Sequence, residues 1–221
     1  MSKKFLILGA LALSACGGGS DNTVGATFVA PTGPAAMLAQ IDEANTLLTA
    51  LNARDGSLES AIAPASANFD GVFLIARDAN APGDTYYGDV SLNVVLSGDG
   101  EISGSATNFY YYDTSGANGR TGQAVGGTID VNAPEVGYDD PATNAREGFS
   151  IDLSGDLVMD GRSRNVTDSN VEAAFASHDD NIFANGSEGQ IDMMVGDGTV
   201  TFGGTGKFDT FFLTCEASTD C

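Results

Sequence analysis

Positive charge is scarce in this sequence: nine Lys and Arg stand against thirty Asp and Glu, a formal net charge of −21 over 221 residues. Binding a phosphate backbone needs a Lys/Arg footprint, so no nucleic-acid partner is expected. The same shortage argues against electrostatic docking on anionic lipid. Histidine is nearly absent as well. The one residue, His178, sits in Ser177-His178-Asp179-Asp180 and reads as a solvated turn histidine. There is no His-Glu-x-x-His, no Gly-x-Ser-x-Gly elbow and no Gly-rich phosphate loop opening a helix, so no catalytic residue and no cofactor are expected. Asp139-Asp140 and Asp179-Asp180 lack the ordered oxygen spacing of an EF-hand loop, and no metal site is expected. Disorder is excluded too, because 42% hydrophobic residues can build a core.

What is present begins with an address. Lys3 and Lys4 precede a short apolar run from Phe5 to Leu13, too short to span a bilayer permanently and ordered like a secretory signal. The run ends in Leu13-Ser14-Ala15-Cys16, which resembles the lipobox of bacterial lipoproteins. The resemblance implies a signal over 1–15, cleavage before Cys16, and a thiol and new N-terminus that carry acyl chains. Several chains together anchor stably, where one holds only marginally. In enteric bacteria an aspartate after the cysteine retains a lipoprotein in the inner membrane. Gly17 stands there instead, so a lipid-anchored outer-membrane location is expected, surface-exposed or periplasm-facing. Losing Lys3 and Lys4 with the signal takes the charge from −21 to −23.

Residues 16–33, rich in Gly and small polar residues, read as a flexible tether. A helix is expected over 34–55. Pro34 suits its first turn, Met37, Leu38, Ile41, Ala44, Leu48 and Leu51 recur at spacings of three and four, and Asp55-Gly56 stops it. Gln40, Asp42, Glu43 and Asn45 fall on the other side. Such a stripe is expected to dock on a core.

From Phe69 the apolar period changes to two. Val90, Leu92, Val94 and Leu96 alternate with polar residues. So do Phe149, Ile151, Leu153, Leu157 and Met159, then Val171, Ala173 and Phe175, and then Ile191, Met193 and Val195. Eight strands are expected, at about 69–77, 86–97, 101–112, 123–132, 148–159, 170–177, 188–196 and 199–213. Asp99-Gly100 and Asp197-Gly198 read as tight hairpins, and Asp160-Gly161 joins the fifth and sixth strands. Sequential strands with short links make an all-β, eight-stranded antiparallel up-and-down β-barrel over 56–221, with a two-sheet sandwich as the alternative. Glycines within strands, such as Gly104, Gly127 and Gly155, suit the bends that closure needs. The second face carries Ser, Asp, Asn and Thr, which argues against a transmembrane barrel.

Cys215 and Cys221 lie at the C-terminal end, separated by five residues. Beyond the inner membrane they read as a disulfide, with two free thiols as the alternative. Two thiols without a nearby His do not make a tetrahedral metal site.

The segment Gly100-Glu-Ile-Ser-Gly-Ser-Ala-Thr-Asn-Phe109, followed by Gly126-Gly-Thr-Ile129, resembles small lipoproteins with a transferrin-binding-protein-B-like β-barrel. The resemblance spans about residues 69 to 213. It implies a lipobox, a tether, a short helical stretch and an eight-stranded barrel. Phe183, Asn185, Gly186, Glu188 and Gly189 occupy the region of a later family signature without matching its spacing, and the signature's alanine is absent. The resemblance implies the scaffold and does not carry transferrin binding with it.

Tyrosine is the residue type most suited to recognition here, with an apolar body and a polar tip. Tyr110 and Tyr112 share one face of their strand, Phe109 and Tyr111 the other, so one aromatic pair is expected to face outward. Tyr86 and Tyr87 begin the neighbouring strand. These five tyrosines are the candidate ligand contacts. The expected function is a non-enzymatic, lipid-anchored outer-envelope protein that binds a protein or small solute. The alternatives are a structural periplasm-facing envelope lipoprotein and a lipocalin-like small-solute carrier.

Overall fold

A computed structural model describes residues 28–53, 66–78, 83–95, 100–113, 122–136, 149–176, 193–204 and 206–217. The signal, Cys16, most of the tether, Asp55-Gly56, Asp99, both aspartate pairs, His178, residues 183–189 and Cys221 lie outside them. One helix, α1 (Pro34–Ala53), precedes the strands β1 (Ser66–Ala76), β2 (Asp84–Val95), β3 (Glu101–Asp113), β4 (Gln123–Ala133), β5 (Phe149–Ser150), β6 (Asp152–Met159), β7 (Arg162–Ala176), β8 (Met193–Phe202) and β9 (Lys207–Glu216). Apart from the two-residue β5, each strand pairs antiparallel with the next in sequence, β4 with β6, and β9 returns to β1. β5 and β6 are one strand interrupted at Ile151, and both pair with β7. The sheet is therefore a closed, eight-stranded antiparallel barrel. Closure leaves no strand edge unpaired, which is why short links between amphipathic strands favour it over a sandwich.

The hairpin expected at Asp197-Gly198 is not there. β8 runs through that pair, with Gly198 opposite Val171 and Thr210, and the turn falls at Gly203-Gly204. Asp-Gly signals a turn because both residues tolerate positive φ, but Gly198 serves a close approach instead. A Cβ on it would stand 2.0 Å from the carbonyl oxygen of Asn170. The strands expected at 188–196 and 199–213 are accordingly β8 and β9 with shifted bounds. The sixth strand starts earlier than expected, directly after the Asp160-Gly161 turn. Both turn residues have positive φ, 52° and 71°, as a two-residue hairpin requires.

The alternating residues fill the barrel. Phe69, Phe73 and Ile75 of β1 meet Leu92 and Val94 of β2, Ile129 and Val131 of β4, Leu153 and Leu157 of β6, and Phe212 of β9. Phe73 stacks on Phe212 at 6.3 Å and takes Phe109 edge-on at 6.1 Å. Near Gly100, at one end of the barrel, Val136 joins this cluster.

A second apolar layer lies outside the barrel. Val72, Leu74 and Ala76 of β1, Phe211 and Leu213 of β9, and Met193 and Val195 of β8 point outward, and α1 lies over them with Met37, Ile41, Ala44 and Leu47. The Gly33 carbonyl caps the helix by accepting from the Met37 N–H, which leaves Pro34 at a position where a missing N–H costs nothing. Phe28 joins the same layer, and the Gln40 side-chain amide donates to the Val29 carbonyl, so residues 28–33 run back along the helix. Gln40, expected on the wet side, is buried by this strap. Cys215 also lies in this layer and is disulfide-bonded. Its partner lies outside the described residues.

Candidate functional site: one mouth of the barrel

The hairpin antiparallel order brings the ends of β1, β3, β6 and β8 to the same mouth as the starts of β2, β4, β7 and β9. Every Lys and Arg among the described residues lies at this mouth: Arg77 after β1, Arg162 and Arg164 at the start of β7, and Lys207 at the start of β9. Elsewhere on the described chain the charged side chains are all acidic.

Arg164 is the cation that turns inward. Ser163 and Asn165 face solvent, so alternation sends Arg164 inward with Val166, opposite Leu157. Its Nη1 donates to the Tyr86 Oη at 3.0 Å, and its guanidinium carbon lies 5.5 Å from the centre of the Phe202 ring. That distance is within cation–π range. Both partners are fixed: Tyr86 meets Phe202 edge-on at 4.9 Å, and Phe208 meets Phe202 edge-on at 5.1 Å. A guanidinium carries five N–H donors. Among the described residues Tyr86 is the hydrogen-bond acceptor it reaches, and no carboxylate stands within ion-pair distance.

Tyr111 completes the mouth. Its ring lies 5.3 Å from that of Tyr86, and its hydroxyl donates to the Asp84 carboxylate at 2.7 Å. Burial raises the Tyr111 hydroxyl above its ordinary pKa, and the Asp84 bond and charge push the same way. Burial also raises Tyr86, with Arg164 opposing and Asp84 adding. Both phenols therefore stay protonated at neutral pH. Tyr86 accepts from Arg164 through a lone pair and keeps its own O–H as a donor.

The five candidate tyrosines thus divide. Tyr86 and Tyr111 stand together at the mouth. Tyr87, Tyr110 and Tyr112 pack in the layer under α1, where Tyr87 and Tyr112 meet edge-on at 5.6 Å and the Tyr112 hydroxyl donates to the Pro34 carbonyl at 2.8 Å. The outward pair, Tyr110 and Tyr112, faces the helix, not open solvent. Sequence reasoning missed Arg164. The available signal was slight: Arg164 stands two residues before Val166, the one apolar residue in the first half of its strand.

Among the described residues no group of three His, Cys, Asp or Glu comes together to hold a metal ion, and no helix is long and apolar enough to cross a membrane. No protein-family model, curated protein or solved structure matches the chain.

Proposed function

We propose that this is a non-enzymatic, lipid-anchored envelope protein that binds its ligand at the mouth carrying Arg164, Tyr86 and Tyr111. The observation that carries the reading is the inward arginine, held by a phenol and a ring, in a chain of net charge −21. An arginine turned into a barrel loses hydration, and a recognition role explains why its other donors meet no acceptor among the described residues. The packed interior supports binding at the rim over carriage within, since Phe73, Phe109 and Phe212 fill the middle of the barrel. The lipobox-like Leu13-Ser14-Ala15-Cys16, followed by a Gly-rich spacer, supports the anchor. The order of tether, helix and meander supports the likeness to transferrin-binding-protein-B-like lipoproteins at the level of scaffold.

Two measurements test the anchor and the setting. Cys16→Ala is expected to move the protein from the membrane to the soluble fraction, and retention in the membrane would overturn the lipid anchor. Protease added to intact cells, with a periplasmic control protein, separates an outward-facing barrel from one facing the periplasm. Digestion with the control intact directs the ligand search to the cell's surroundings, and protection directs it to the periplasm.

A further inference from the structure

The geometry points to a small organic monocarboxylate as the ligand of the Arg164 mouth, with its carboxylate on the guanidinium and its apolar body against the half-buried Tyr111 ring. This inference rests on the mouth being the binding end, and it adds the chemistry of what is bound.

Three features carry it. The first is donor geometry. A guanidinium presents paired N–H groups in a planar fork that matches a carboxylate. Arg164 gives Nη1 to Tyr86 and meets no carboxylate of its own among the described residues.

The second is preorganisation. Arg164 is held by the Tyr86 hydroxyl and the Phe202 ring, and both of those side chains are buried in the core. A ligand therefore does not have to immobilise a long flexible side chain, which is a main cost of binding through arginine.

The third is the balance of charge around it. Asp78, Asp84, Asp113 and Asp160 lie at the same end as Arg164, together with Arg77, Arg162 and Lys207, and Arg164 is the cation among them that turns inward. A dianion such as phosphate would bring twice the charge of the one inward arginine that it meets. A monoanion with an apolar body gains the bidentate contact and lays its hydrocarbon over the half-buried Tyr111 ring at the rim. A neutral molecule of the same shape would leave the guanidinium unmatched.

The test uses the full, processed chain in detergent and equilibrium dialysis against radiolabelled benzoate, with benzamide as the uncharged analogue of the same shape. Saturable uptake at one site, with benzamide competing at least about tenfold more weakly, is the expected result. Arg164→Gln is expected to weaken uptake by about tenfold or more, with an unchanged circular-dichroism spectrum. Arg164→Lys keeps the charge but loses the fork, and an intermediate loss is expected. The inference is overturned by absence of saturable benzoate uptake, by benzamide competing equally, or by inorganic phosphate displacing benzoate at equal concentration. The benzoate–benzamide comparison needs no variant, so it decides the matter even if a substitution at Arg164 disturbs folding. Failure here leaves the lipid anchor standing, because that is read separately from the fractionation of Cys16→Ala.

Discussion

The barrel interior and the layer under α1 are both apolar and both buried, yet they are closed in different ways. Interior side chains come from every strand of a closed sheet, so Phe73 reaches Phe109 and Phe212 only when β1, β3 and β9 are all in register. The outer layer is one helix and a short strap laid on β1 and β2, over apolar side chains to which β8 and β9 also contribute, fastened by Tyr112 to the Pro34 carbonyl and by Gln40 to the Val29 carbonyl. Removing the helix breaks no ladder hydrogen bond. The interior should therefore report global unfolding, while the strap can open as a local unit. An opened strap would bare a contiguous apolar patch, which a soluble surface rarely tolerates. The helix thus completes the barrel's surface without being part of its closure.

The largest expected effect lies inside. Phe212 is fully buried, stacked on Phe73 and packed against Gly196. Phe212→Ala should cost about 3–5 kcal/mol in denaturant unfolding, with its midpoint lowered for every probe at once. Met37 is equally buried but under the helix. Met37→Ala should cost about 2 kcal/mol, the low end for such a truncation, because the helix can settle onto the barrel. Hydrogen exchange should then speed up in α1 and stay unchanged in β1. Equal acceleration in both would merge the two layers into one cooperative unit and end the comparison.

The next effect concerns which aromatic residues enter which layer. Ile102 and Ala106 of β3 point inward on even positions, whereas Phe109 does so on an odd one. The register shifts between Ala106 and Phe109, and Asn108 there has φ of 51°. Without this bulge Tyr110 and Tyr112 would turn into the barrel, and Phe109 and Tyr111 would face out. Asn tolerates the left-handed conformation, and a β-branched residue does not. Asn108→Val should therefore cost about 1–2 kcal/mol. The same substitution removes the Asn108 side-chain contact to Asp89, whose carboxyl burial pushes up. Asn108→Gly, which keeps the backbone free, separates the two contributions: recovery of most of the stability assigns the loss to the bulge.

That bulge also marks the limit of what the sequence discloses. Alternation in β2, β4 and β6 was enough to give the barrel and its inward residues, whereas β1 is apolar on both faces from Val72 to Ala76, because α1 covers its outer one. The Asp160-Gly161 hairpin was legible because its turn geometry is local. The bulges in β3 and β7 reverse a strand's faces at one residue, and no periodicity announces them. Met193 and Val195 alternate like interior residues, yet they face the helix, since an apolar stripe does not say which of two layers it enters. Asp197-Gly198 misled for a related reason. Glycine serves tight turns and close strand approaches alike, and only the register with β7 decides between them. At the mouth, Tyr86 and Tyr111 were singled out from composition. Arg164 was not, because its inward direction follows from a strand start that the sequence placed eight residues too late.

The smallest effect is also the most selective. Burial pushes the Tyr112 hydroxyl up to about 12, from an ordinary value of 10.0. Below pH 10 the folded and unfolded chains both hold this proton, so it adds no pH dependence. Between about 10 and 12 the unfolded chain gives the proton up while the folded chain keeps it. The folded state then binds more protons, so stability falls as pH rises through that window. Tyr86 and Tyr111 are raised as well and contribute a loss of the same sign. Tyr112→Phe should remove one bond between strap and barrel, costing about 1 kcal/mol at neutral pH. It should also make the alkaline decline shallower without abolishing it. Because Tyr112 belongs to the outer layer and Tyr86 and Tyr111 to the mouth, the drop in slope measures the outer layer's share, and the mouth's share stays in the residual slope. A decline identical to that of the native chain would mean that the strap has already left the barrel before Tyr112 ionises, which is the strongest form of the separation between the two layers.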